Sequence, residues 1–231
     1  MSRLAVPLLF GLVGTAILVW LGTWQLQRLT WKEGILSEIE ERIGGPFQDI
    51  PSLASVDPER DRYMPVALVG EIGNEDLLVL VSQKRVGAGY RVISPYTLND
   101  GRRILLDRGF TPVDQRDADR SRIGEDVEVQ GNLHWPDDRT SSTPENDVAG
   151  NTWFARDIEQ MAEALGTEPL MVIARNMSPP DTGVTPLPVD TSGIPNDHLQ
   201  YAITWFSLAV IWVIMTAAFI WRQRKGKEGT A

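Results

Sequence analysis

The stretch Tyr90–Phe110, YRVISPYTLNDGRRILLDRGF, decides how the middle of the chain folds. Two apolar-rich runs, YRVISPYTL and RRILLDRGF, flank Asn99-Asp100-Gly101, and an Asp-Gly pair readily supplies the positive φ angles of a tight turn. The segment therefore reads as a β-hairpin. Further strand-like runs lie on both sides: YMPVALVGEI (63–72) and DLLVLVSQKR (76–85) before it, EDVEVQGNLHW (125–135) and PLMVIARNM (169–177) after it. Val127, Val129, Gly131 and Leu133 recur with the period of two expected of a half-buried strand. After the polar loop Asp137–Asn151 the spacing turns helical in DIEQMAEALG (157–166). Ile158, Met161 and Leu165 share one face there, with Asp157 placed to cap the start and Gly166 to end the helix. Strands in hairpin order with one short helix predict an antiparallel, β-rich α+β domain that can close as a small barrel.

Toward both ends the composition changes. Leu4–Gln27 contains no charged residue, and Tyr201–Trp221 is a second uncharged stretch. About 20 apolar residues suffice to cross a bilayer core of roughly 30 Å, so two transmembrane helices are expected, near 5–25 and 202–221. Trp20 and Trp24 mark one end of the first, and Tyr201, Trp205 and Trp221 mark the ends of the second, as interfacial aromatics do. The first run is longer than the core of a secretory signal, and no small-x-small cleavage site follows it, which favours an uncleaved anchor. It continues as WQLQRLTWKEGILSEIEER until Gly44-Gly45-Pro46 stops the helix. Arg222, Arg224, Lys225 and Lys227 follow the second span closely, whereas residues 176–201 hold no Lys or Arg, so both tails are expected inside and the central domain outside.

The organisation expected is thus a tail and first span (1–27), an outer domain (28–200) and a second span with a basic tail (201–231). The outer domain is periplasmic or in the intermembrane space, for a bacterial cytoplasmic or mitochondrial inner membrane. Its last part, Ser178–Pro195, has five prolines and reads as an extended, semi-rigid connector.

Composition excludes several chemistries. The absence of cysteine removes disulfides, thiolate metal sites, thiol nucleophiles and covalent haem attachment through C-x-x-C-H. A net charge of −9 argues against a nucleic-acid binder. No G-x-S-x-G, H-E-x-x-H or phosphate-binding loop occurs, so no catalytic constellation is visible and an enzyme is not expected.

Only two histidines are present, His134 and His198. In IPNDHLQYAITWF (194–206), Asn196 is the expected N-cap and His198 opens the helix, on one face with Tyr201 and Trp205. A neutral imidazole there can ligate a metal or haem iron; a plain interfacial histidine is the alternative. At the exit of the first span, Trp20, Trp24, Gln27 and Trp31 fall near one face beside Arg28 and Lys32. Such a surface suits a flat apolar molecule bearing carboxylates, but from these residues alone an ordinary aromatic belt with lipid-phosphate contacts is the simpler reading. His134 reads as a structural or surface residue, and Asp107 as a strand-end acid paired with the adjacent Arg108.

LGTWQLQRLTWK, GYRVISPYTLNDGRRILLDRGFTP, NTWFARDIEQMA and NDHLQYAITWF resemble, in this order, the hallmark segments of the Surfeit locus protein 1 family. The resemblance spans nearly the whole chain, with Phe110 standing where many relatives have Trp. It implies an assembly factor for haem-copper terminal oxidases, chiefly cytochrome c oxidase, acting on the largest subunit, subunit I, and in contact with haem a synthase. It further implies haem a bound non-covalently with His198 as axial ligand; Trp24, Gln25 and Arg28 match the family's first motif, and Tyr201, on the helical face of His198, completes the candidate set. A scaffold that holds an oxidase subunit without itself binding haem is the second reading.

Overall fold

In the computed structural model, residues 2–83, 87–121 and 126–228 are described. The chain divides into two compact units, Met1–Glu38 with Thr191–Ala231, and Ile39–Asp190. Helix α1 (Ser2–Ile43) begins in the first unit and ends in the second, where Gly44 N–H closes the last turn on Glu40 O at 2.9 Å. Within the second unit, the carbonyl of Ile43 is satisfied by Asn132 Nδ2 (3.1 Å) and by the Arg175 guanidinium. A helix C-terminus leaves carbonyls without partners, and these two side chains supply donors.

The second unit is a six-stranded sheet ordered β1-β5-β6-β4-β3-β2, with strands β1 (Pro65–Ile72), β2 (Leu77–Gln83), β3 (Gly87–Leu98), β4 (Arg103–Pro112), β5 (Asp126–Leu133) and β6 (Met171–Ser178). Strand β3 pairs with β4 along one edge and is long enough for its other edge to serve two neighbours. Its first half pairs with β2 and its last three residues pair with β1, through Gly70↔Leu98 and Ile72↔Tyr96, so five strands close into a barrel and β2 extends it as a flap. A Cβ on Gly70 would strike the carbonyl of Thr97, so glycine permits the close crossing of β1 over β3. Every pairing is antiparallel except β4 with β6, which run parallel over Leu105–Asp107 and Met171–Ile173.

The predicted hairpin is β3–β4. Gly101 N–H donates to Leu98 O (2.9 Å), Leu98 N–H to Arg102 O (2.8 Å), and of the turn residues only Gly101 has positive φ (+86°). That is a type I turn followed by a left-handed glycine, rather than a turn with two positive φ angles. Helix α2 (Ile158–Leu165) forms as its capping residues require. The Asp157 carboxylate accepts from Gln160 N–H at 3.2 Å, and Gly166 ends the helix at φ 61°.

Alternation along the strands builds two cores. Val66, Leu68, Ile104, Leu106, Val127, Val129 and Val172 fill the barrel, while Leu105, Ile93 and Met171 face outward and are covered by Ile158, Met161 and Leu165 of α2 with Trp153. Strand β4 therefore has apolar side chains buried on both faces, which is why RILLDRGF lacks a polar face.

The Pro-rich connector is fastened to the barrel along its first part. Thr185 and Phe110 exchange backbone hydrogen bonds (2.7 and 2.8 Å), Val184 packs with Leu78, Tyr90 and Val92, and Leu187 O accepts from Arg91.

Candidate functional site

In the helical unit, α3 (His198–Glu228) runs antiparallel to the first part of α1: Gly11 meets Thr216, Gly14 meets Trp212, Gly22 meets Phe206, and Gln25 meets His198. Small residues make the close approach possible, with Gly11, Gly22, Ala202 and Ala209 buried along the seam. Trp212 Nε1 donates to Gly11 O at 3.1 Å and its ring lies 5.4 Å from that of Phe10. The faces away from the seam expose Leu9, Leu12, Ile17, Val210, Ile214 and Phe219. Both helices are long and apolar enough to cross a membrane, and that exposed surface suits lipid rather than water.

At the head of α3, Asp197 O accepts the Tyr201 N–H at 3.1 Å, so the residue in the N-cap position is Asp197, one later than the expected Asn196. The Asn196 side-chain oxygen is buried and has no hydrogen-bond partner among the described residues. His198 is half-buried, and its Nδ1 lies 2.8 Å from Gln25 Oε1, across the seam and 173 residues away in sequence.

The other candidate residues flank this pair. At about 100° per residue, Trp24 and Arg28 lie roughly 100° and 60° to one side of Gln25, and Tyr201 lies roughly 60° to one side of His198. Because the helices are antiparallel, these offsets open on the same flank of the seam. Trp24 (47% exposed) and Tyr201 (56%) stand free on that flank, and the Arg28 guanidinium stacks 3.7 Å above the ring of Trp31. A half-buried imidazole thus sits beside exposed aromatic faces and a cation.

The remaining sequence candidates belong to the barrel unit. His134 stacks on Tyr63 (5.4 Å between centroids), and burial, together with the positive charges of Arg156 and Arg62, pulls its pKa down to about 4. Its Nδ1 is buried without a partner, so it is a neutral structural residue at ordinary pH. The Asp107–Arg108 pair expected at a strand end does not exist. Both residues are fully buried in mid-strand, and a β-bulge at Arg108 sends them to different partners. Asp107 accepts from Arg91 (2.6 Å) and Arg156 (3.5 Å). Arg108 forms a two-pronged bridge to Asp181 (2.7 and 2.9 Å) and donates also to Asp76, Ser94 Oγ and Arg120 O. All five guanidinium donors are used. Asp76, also largely buried, has its pKa raised by desolvation despite these partners. Among the described residues no three His, Asp or Glu side chains gather as a metal site.

A small barrel, and two apolar helices that pair through glycine with a histidine–glutamine contact where α3 begins, are the two parts of this fold. The chain belongs to the SURF1 family, whose pattern it matches over residues 12–210. It is 29% identical to Surfeit locus protein 1 of Xenopus tropicalis over 212 residues, covering 81% of this chain and 67% of that one. It is 30% identical to a SURF1-like protein of Monosiga brevicollis (89% and 83% covered) and 27% identical to one of Rickettsia bellii (88% and 86%).

Proposed function

We propose that this protein is a membrane-anchored assembly factor for cytochrome c oxidase that binds haem a at the head of α3 and assists its insertion into subunit I, receiving it from haem a synthase. In this reading both helices span the membrane, the basic flank at Arg222, Arg224 and Lys225 lies inside, and the barrel lies outside. Family membership supports the assembly role. The observation that carries the haem assignment is the placement of His198: its Nδ1 is engaged by Gln25, while Nε2 has no hydrogen-bond partner among the described residues.

The residues present fit such a cargo. His198 Nε2 would hold the iron, Trp24 and Tyr201 offer apolar faces to the ring, and Arg28 offers a cation to a propionate. Buried Ala202 and Gly22 keep the two helix heads close enough for both flanks to reach one flat molecule. Haem a contributes the redox centre that the finished oxidase needs; this chain's part is to hold the molecule at the membrane face and release it.

The full chain, purified from cells that make haem a and from cells lacking haem a synthase, provides the test. A Soret band that travels with the protein only in the first preparation is the expected result. A colourless protein from both sources, still associated with subunit I, would replace the carrier with a scaffold that holds the subunit.

A further inference from the structure

The hydrogen bond between Gln25 and His198 has a consequence for the state of the imidazole, and this inference rests on the haem reading just given. We propose that Gln25 is a positioning residue that fixes His198 in the Nδ1–H tautomer, leaving the Nε2 lone pair in place for iron before any haem arrives.

A neutral imidazole carries its single proton on one nitrogen, and the partner of one nitrogen decides the state of the other. Gln25 Oε1, 2.8 Å from Nδ1, is an acceptor, so the ring nitrogen facing it carries the hydrogen. Nε2 is then unprotonated, as coordination requires. The free side chain has no such constraint and can place the proton on either nitrogen. An acceptor behind a ligating histidine also fixes ring orientation, and loss of such an outer partner typically costs about 10- to 100-fold in metal affinity.

The position of Gln25 is itself determined by packing. The seam that brings Gly11, Gly14 and Gly22 against α3 fixes the register, and Gln25 follows Gly22 by three residues on the same side, so its amide meets the first residue of α3. The two side chains come from opposite ends of the chain. His198 can therefore be held in this state only when the two apolar helices are paired, which ties readiness for the ligand to assembly of the helical unit.

Two readouts on the full chain in nanodiscs test this. With ¹⁵N-histidine labelling there are only two ring systems, and His198→Ala assigns them. Haem-free protein should show His198 with Nδ1 protonated and Nε2 bare, and Gln25→Leu should move the proton to Nε2 or to a mixture. Gln25→Glu, which keeps an acceptor at that place, should restore the original state. Titration with protohaem, followed at the Soret band, should show about 10- to 100-fold weaker binding for Gln25→Leu and near-normal binding for Gln25→Glu. A parent protein with the proton on Nε2, or a Gln25→Leu protein with unchanged tautomer and affinity, would overturn the role of Gln25 even if His198→Ala abolishes binding. If His198→Ala binds protohaem as the parent does, the haem reading itself falls, whatever the tautomer spectra show.

Discussion

The charged network around Arg108 in the barrel and the head of the helical unit place their polar groups differently. In the barrel Arg108 uses all five donors, Asp107 takes two arginines, and the Tyr96 hydroxyl donates to Val127 O at 2.6 Å. The helical unit has a thin seam of glycine and alanine, a wide apolar exterior, and at its head an imidazole with Nδ1 engaged and Nε2 without a hydrogen-bond partner among the described residues. A network that satisfies itself rigidifies a fold. In the proposed reading the barrel is the supporting body and the helix heads carry the site.

The sharpest way to break this contrast is to open the barrel's network. Arg108→Leu strands the carboxylates of Asp181 and Asp76 in a buried site, and removal of one partner from a buried ion pair costs about 3–5 kcal/mol. Thermal unfolding followed by far-ultraviolet circular dichroism should show the β signal melting far earlier. A melting point within a degree or two of the parent's would mean the network is not what holds β4 and residue 181 together.

His134 gives a pH dependence of the barrel alone. The unfolded chain takes up a proton near 6.5, whereas the folded one resists until about 4, so protonation favours unfolding between these values. Stability is complete above pH 6.5 and falls as pH drops toward 4, by at most about 3 kcal/mol. His134→Phe, which keeps a ring against Tyr63, should flatten that slope in denaturant titrations at pH 4.5 and 7.5. An unaltered slope would show that other groups govern the acid side.

A change at the seam should act on the other unit only. A Cβ at Gly22 would lie 2.7 Å from the Phe206 ring, so Gly22→Ile should loosen the helix pair by about 1–3 kcal/mol. Spin labels on the exposed faces of α1 and α3 should report a broader distance distribution while the barrel's melting stays put.

The parts of the molecule legible in the sequence were those written locally. The Asp-Gly turn, the Asp157 and Gly166 caps and the two uncharged runs each carry their signal within a few residues. What could not be read depends on distant register. The bulge at Arg108 separates it from Asp107 because β3 and β4 slip between Val92 and Ile93, and its main partner Asp181 is 73 residues away. The closure of the barrel needed one edge of β3 to serve both β2 and β1, and the parallel β4–β6 pairing has no local signature. At the head of α3, His198 was visible as a residue type in an unusual place, while its contact with Gln25 follows from a seam set by glycines some 200 residues upstream of their partners, as in the 201-residue separation of Trp212 and Gly11.

The central claim is that the open nitrogen of His198 receives haem iron, and one measurement meets it directly: the absorption spectrum and haem a content of His198→Ala purified beside the parent from cells that make haem a. The account predicts a variant that stays folded in the membrane and loses the bound pigment or shifts its Soret band. A His198→Ala protein with the parent's haem content and spectrum would contradict it.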